Sequence, residues 1–186
     1  MTLTSVEIPG LVTGRYAIDT THSEVGFVAR HLVVAKVRGV FGSFRGEITI
    51  AEDVTASAVT ATIDTASVDT RNEQRDAHVR SADFLDVEQF PTMTFVSSGL
   101  AQRGEGYVLT GDLTLHGVTR TVDLNLEFNG GTRDPWGGTR IAFSADTEIN
   151  RRDYGIDINL PLDGGGAVVG DKIKVSLEIE AVLQEG

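Results

Sequence analysis

Val122-Asp123-Leu124-Asn125-Leu126-Glu127-Phe128 alternates apolar and polar residues without a break. A period of two places Val122, Leu124, Leu126 and Phe128 on one face of an extended chain and the charged or amide side chains on the other, the pattern of a strand with one buried face. The same period recurs in Ile173, Val175, Leu177, Ile179 and Ala181, in Val59, Ala61 and Ile63, in Met93 with Phe95, and in Ile141 with Phe143. Residues 25–31, 37–50 and 107–115 also read as strands. About eight short strands at close spacing predict an all-β barrel or sandwich.

Glycine and proline punctuate these runs. Gly104-Glu105-Gly106 precedes Tyr107, and Asn129-Gly130-Gly131 and Asp134-Pro135-Trp136-Gly137-Gly138 predict turns between two strands. Gly39, Gly42 and Gly46 fall inside the run over 37–50, where internal glycine predicts a bulge or a sharp bend. Gly164-Gly165-Gly166 opens a long loop that reads as a lid or plain surface. Asp171-Lys172 closes that loop in place of the Gly-Lys-Ser/Thr of a phosphate-binding loop. One segment, over 70–85, breaks the strand period. Thr70-Arg71-Asn72-Glu73 fits a capping box, with Thr70 accepting from first-turn amides and Glu73 reaching back. The spacing predicts a helix over 71–82, polar on most sides, and Pro91 bars its continuation.

At 186 residues, 40% apolar and 23% charged, the chain has the size and balance of one packed domain. It shows no linker, repeat or low-complexity tract, so 1–186 reads as a single domain with its core over 16–183. Cysteine is absent, which excludes disulfides and thiolate chemistry. The net charge of −11 makes a surface that repels nucleic-acid phosphates and anionic lipid headgroups, and that favours solubility. Residues 1–14 lack the basic start and apolar run of a signal peptide, and no stretch approaches the roughly 20 apolar residues of a bilayer span. The expectation is a cytoplasmic protein with no nucleic-acid partner and no membrane insertion.

The residues that could carry chemistry are few. His22, His31, His78 and His116 show no tight metal spacing, and no metal site is assigned. They read as hydrogen-bonded structural histidines, one or two of which face a ligand. Arg75 and His78 stand three apart on the expected helix and share a face. That face either presents a polar cluster to a cavity mouth or carries an ordinary surface ion pair. No Gly-x-Ser-x-Gly singles out a serine nucleophile. No catalytic residue and no cofactor is assigned. Most of the eight phenylalanines lie on expected strands. In a barrel of about eight strands, inward side chains either fill the interior or line a slot for one ligand, and parity alone does not say which face points in.

Several ordered blocks resemble one family. They are Ile18-Asp19-Thr20-Thr21-His22-Ser23-Glu24-Val25-Gly26-Phe27 with Arg30-His31, then Val37-Arg38-Gly39-Val40-Phe41 and Phe44-Arg45-Gly46. Asp64-Thr65-Ala66-Ser67-Val68-Asp69-Thr70 and Arg75-Asp76-Ala77-His78-Val79-Arg80-Ser81-Ala82-Asp83-Phe84-Leu85-Asp86 form the most specific stretch. Phe90-Pro91-Thr92-Met93-Thr94-Phe95, Gly111-Asp112-Leu113-Thr114-Leu115-His116-Gly117-Val118-Thr119 and Ile149-Asn150-Arg151-Arg152-Asp153-Tyr154-Gly155 follow. Together they resemble YceI-like proteins from about Tyr16 to Val182. The resemblance implies an antiparallel, eight-stranded, lipocalin-like barrel with a tubular apolar cavity that binds a polyisoprenoid, an isoprenoid quinone or a similar long amphiphile. Many members are exported with a signal peptide. The family supplies no agreed catalytic residues.

On that basis Phe27, Phe41, Phe84, Phe95, Leu115 and Phe143 are the candidates for the cavity wall, and Arg75, His78 and His31 for the donors to a polar head. The expected function is a carrier or store for an isoprenoid-type lipid, with a homodimer possible. The alternatives are an enzyme acting on a hydrophobic substrate, with Asp76 and His78 as acid and base, and a structural protein with a filled barrel.

Overall fold

Alternation dictates the architecture, because each strand has one apolar face to hide. In a computed structural model, whose described residues are 10–158 and 169–186, the expected runs lie in strands, except that the run over 37–50 is split into two strands at Gly42-Ser43. The strands are β1 (Gly14–Ile18), β2 (Glu24–His31), β3 (Ala35–Phe41), β4 (Phe44–Ile50), β5 (Ala58–Asp64), β6 (Val68–Asp69), β7 (Thr92–Arg103), β8 (Gly106–Leu115), β9 (Val118–Arg133), β10 (Thr139–Asn150) and β11 (Val169–Leu183). Among the described residues one α-helix, α1 (Glu73–Arg80), is inserted between β6 and β7.

The segments form one antiparallel sheet in the order β1-β4-β5-β7-β8-β9-β10-β11-β2-β3-β6, and β1 also pairs with β11 to close it. The long β11 receives β2 along its first part, from Val169 opposite His31, and β1 at its end, from Ala181 opposite Ile18. Thus β1 and β2 act as one interrupted strand, β3 and β4 as a second, and β5 and β6 as a third. The result is a closed antiparallel barrel of eight walls, each beside its neighbour in sequence. The apolar sets point inward. Val122, Leu124, Leu126 and Phe128 line the interior, as do Ile173, Val175, Leu177 and Ile179 from β11.

The two ends differ. One is plugged by a cluster of Tyr16, Ile48, Ile50, Ile141 and Ala181, with Leu11 packed against it. Tyr16 is fully buried, and its hydroxyl donates to Val12 O at 2.7 Å. The other end carries the β2–β3 hairpin, α1 and the β8–β9 turn. That turn is His116-Gly117, both at positive φ, the two-residue geometry that suits right-twisted strands.

Several expectations are corrected. The helix covers 73–80 rather than 71–82, and its N-cap is Asn72, whose side chain accepts from Arg75 N at 2.8 Å. Arg71 has φ 64, so the chain turns there and Thr70 stays outside the helix. Asn129-Gly130-Gly131 is no turn. It lies within β9, where the register against β10 slips between Ala142 and Phe143, so the Asn-Gly signal marks a bulge and the turn is left to Asp134–Gly138. Gly42 does sit at the break between β3 and β4, but Gly39 and Gly46 keep regular register. Gly39 is there for a different reason: it faces Phe27 across the ladder, and any Cβ at 39 collides with the Phe27 ring. Gly111 stands in the same relation to the Phe95 ring. Glycine here makes room for an aromatic ring lying over the backbone. The expected loop opened by Gly164-Gly165-Gly166 lies outside the described residues.

Candidate functional site

The barrel interior is open. Its walls enclose a cavity of about 430 Å³, within the range of small-molecule sites. Small side chains keep it clear: Ala29, Ala61 and Ala145 all face it between larger neighbours. These walls leave room inside the barrel.

Phe27, Phe41, Phe84, Phe95, Leu115 and Phe143 all line this cavity, and so do His31, Arg75 and His78. Pairs of rings build the wall: Phe27 against Phe41 at 5.6 Å between centroids, and Phe128 against Phe143 at 5.2 Å. Sequence reasoning missed other lining residues, among them Arg30, Thr70, Thr147 and Arg151. No Asp or Glu lines the cavity among the described residues. The basic side chains gather at the end that carries α1 and the β2–β3 hairpin, so the lumen is apolar and its polar fringe is cationic.

Each fringe residue has a local cause. Asp76 is the one buried residue of α1, and its Oδ1 accepts from Thr70 N at 2.8 Å and from Thr70 Oγ1 at 2.5 Å. The same Thr70 hydroxyl accepts from Arg75 Nε at 2.8 Å, and Arg75 Nη2 donates to Thr70 O at 2.7 Å. His78 packs edge-on against Phe84, and its Nε2 lies 2.9 Å from Asp83 Oδ2. Asp76 and His78 therefore do not form the acid and base pair expected of the enzyme alternative. Two residues apart on a helix they face different sides, and each is committed to another partner. Arg151, 3% exposed, donates to the carbonyls of Ile156, Val169 and Gly170 and pairs with Asp171 at 3.2 Å. Burial pulls its guanidinium below the usual value, and Asp171 opposes that. The sequence signal for Arg151 was the Asn150-Arg151-Arg152-Asp153-Tyr154-Gly155 block, which names no role by itself.

The other histidines are structural. His116 Nδ1 lies 3.0 Å from Tyr154 O, and its ring stacks near Phe90. His22 Nδ1 lies 2.8 Å from Asp19 Oδ2. Asp19, His22 and Glu180 come close enough to share a cation. The positive charge among them is Arg140, whose Nη1 donates to Asp19 Oδ2 and Glu180 Oε1 at 2.7 Å each.

Comparison with known proteins agrees with this geometry. Residues 16–181 match the family model of the YceI-like domain. A UPF0312 protein of Vibrio cholerae is 40% identical over 147 residues, covering 77% of this chain and 78% of its own. The crystal structure of Burkholderia cenocepacia BcnA superposes with TM-score 0.74 at 22% identity, over 88% of this chain and 98% of that one. A polyisoprenoid binding domain from Saccharophagus degradans, implicated in plant cell wall breakdown, superposes with TM-score 0.70 at 20% identity, over 91% and 98%.

Proposed function

This chain belongs to the YceI-like family, and from that premise we propose that it binds a long-chain apolar amphiphile, a polyisoprenoid, an isoprenoid quinone or a close analogue, as a carrier or store. The observation that carries this reading is the apolar lumen of about 430 Å³ with its basic side chains gathered at one end. Each methylene moved from water into such a lumen is worth about 0.8 kcal/mol, so a flexible chain with a single polar head is the ligand shape that gains most. Arg75, His78 and His31 supply donors for the head, and the phenylalanine wall takes the tail. The polyisoprenoid-binding relative with the same fold supports the choice of ligand class.

The test is direct. Protein purified without detergent is extracted with organic solvent and the extract read by mass spectrometry, and delipidated protein is reloaded with a defined prenyl lipid. A long-chain species at up to one per chain is expected. Ala145, midway along β10 and lining the cavity, offers the control. Ala145→Leu fills part of the lumen and is expected to cut loading severalfold while circular dichroism stays unchanged. A protein that yields no long-chain species and accepts none on reloading overturns the reading.

A further inference from the structure

The β2–β3 hairpin stands at the end of the barrel that also carries α1, and it has three features that are each costly in water. Its tip, Leu32-Val33-Val34, is apolar and exposed, at 41%, 56% and 84% of full accessibility. Leu32 and Val33 both adopt positive φ, 52° and 66°, a region in which a β-branched residue is strained. Below the tip, Arg30 lies directly opposite Lys36 in the ladder, and like charges facing one another across a pair of strands repel. Val37 faces the cavity, so by parity Lys36 and Arg38 face outward. Arg30, Lys36 and Arg38 are all exposed. None of the three has an ion-pair partner among the described residues.

The charge pattern of the chain sharpens this. Residues 25–46 hold four of its 16 lysines and arginines and none of its 27 aspartates and glutamates. A net charge of −11 repels anionic surfaces on average, and this hairpin is the local exception. We propose that the hairpin is a docking element for an anionic lipid bilayer: Leu32, Val33 and Val34 enter the headgroup region, and Arg30, Lys36 and Arg38 contact lipid phosphates. The acidic remainder of the barrel orients the molecule with this end toward the surface. His31, the last residue of β2, lines the cavity, so docking brings this end of the cavity to the membrane. A second copy of the chain fits the surface less well. Among the described residues the outer edge of β3 is unpaired from Ala35 to Gly39, because β6 covers only Val40 and Phe41, and Lys36 and Arg38 on that edge repel an identical one.

The experiment is co-sedimentation of the full chain with phosphatidylcholine vesicles containing or lacking phosphatidylglycerol. Binding is expected to the anionic vesicles only, weakening as salt rises. Each lysine or arginine near such a surface is worth about a fivefold change in partition, so Lys36→Gln with Arg38→Gln should weaken binding roughly 25-fold. Val33→Asp with Val34→Asp should abolish it, and an aspartate tolerates positive φ better than valine, so the fold is retained. Absence of binding to anionic vesicles, or binding that both double variants leave intact, overturns the proposal. A dimer in sedimentation velocity that the Val33→Asp/Val34→Asp chain loses also overturns it, in favour of contact between copies. Lipid loading in solution is measured separately, so failure here is distinguishable from failure of the carrier reading.

Discussion

Thr70 Oγ1 stands between an acid and a base, donating to Asp76 and accepting from Arg75. Asp76 thereby fixes the Thr70 hydroxyl, and the hydroxyl with the Thr70 carbonyl fixes the Arg75 guanidinium at the cavity. Asp76→Ala leaves the buried Thr70 amide and hydroxyl without their acceptor, at about 1–3 kcal/mol. For a chain of this size that is a fall in Tm of roughly 2–4 °C per kcal/mol, read by thermal unfolding. Thr70→Val should lower stability less and weaken retention of a headed lipid more than of a headless one, because it removes the hydroxyl that orients Arg75. The sequence announced a cap near Thr70, and the type of signal was right. Thr70 and Asn72 are both good capping residues two positions apart, and only the left-handed turn at Arg71 decides between them. That turn is a backbone property no periodicity reports. The Asp76 contact was hidden for a similar reason: an acid on a polar helix reads as solvated until a tertiary partner buries it.

Among the elements, β2 and β3 show what an in-strand glycine can mean. The Phe27 ring occupies the space a Cβ at Gly39 would need. Gly39→Ala therefore drives the ring toward the lumen, with an overpacking cost of about 1–3 kcal/mol. The checking experiment is a double-mutant cycle: Phe27→Leu alone destabilises, and in the Gly39→Ala background it should recover part of the loss. An additive result would place the ring elsewhere. The strands themselves were legible, because a half-buried barrel wall forces period two, and the runs at 122–128 and 173–181 carry it cleanly. The glycines were not, because a bulge and a ring-over-backbone contact draw on the same residue. The wall positions followed from parity once one face was known to be inward. The polar fringe did not, since Arg30, Thr70 and Arg151 lie far apart in sequence and meet only because antiparallel strands bring every second connection to the same end.

On the scale of the whole barrel, closure rests on a short seam. Only Tyr16, Ala17 and Ile18 pair β1 with β11, and the chain then crosses from β1 to β2 over Glu180. Asp19 N donates to Glu180 O at 2.8 Å, and Ser23 Oγ accepts from Glu180 N at 2.9 Å. Arg140 on β10 ties this crossing together by pairing with Asp19, Glu180 and Asp134. Hydrogen bonds from His22 and Arg140 hold the Asp19 carboxyl well below the usual carboxylate range, and Arg140 with the Gly138 amide lowers that of Asp134. A carboxylate whose folded value is depressed stabilises the fold above its unfolded value, near pH 4, and loses that contribution as pH falls through the folded value. Tm should therefore hold level from pH 7 to about 5 and fall below 4. Arg140→Gln releases these carboxylates toward their ordinary values, so the gap in Tm between wild type and variant should be widest above pH 5 and narrow steadily toward pH 2. A gap that stays constant across that range would mean that Arg140 acts by packing its stem along the wall rather than by charge. In that case the seam would owe its strength to the backbone bonds at Asp19 and Ser23 and to the buried Tyr16 beneath them.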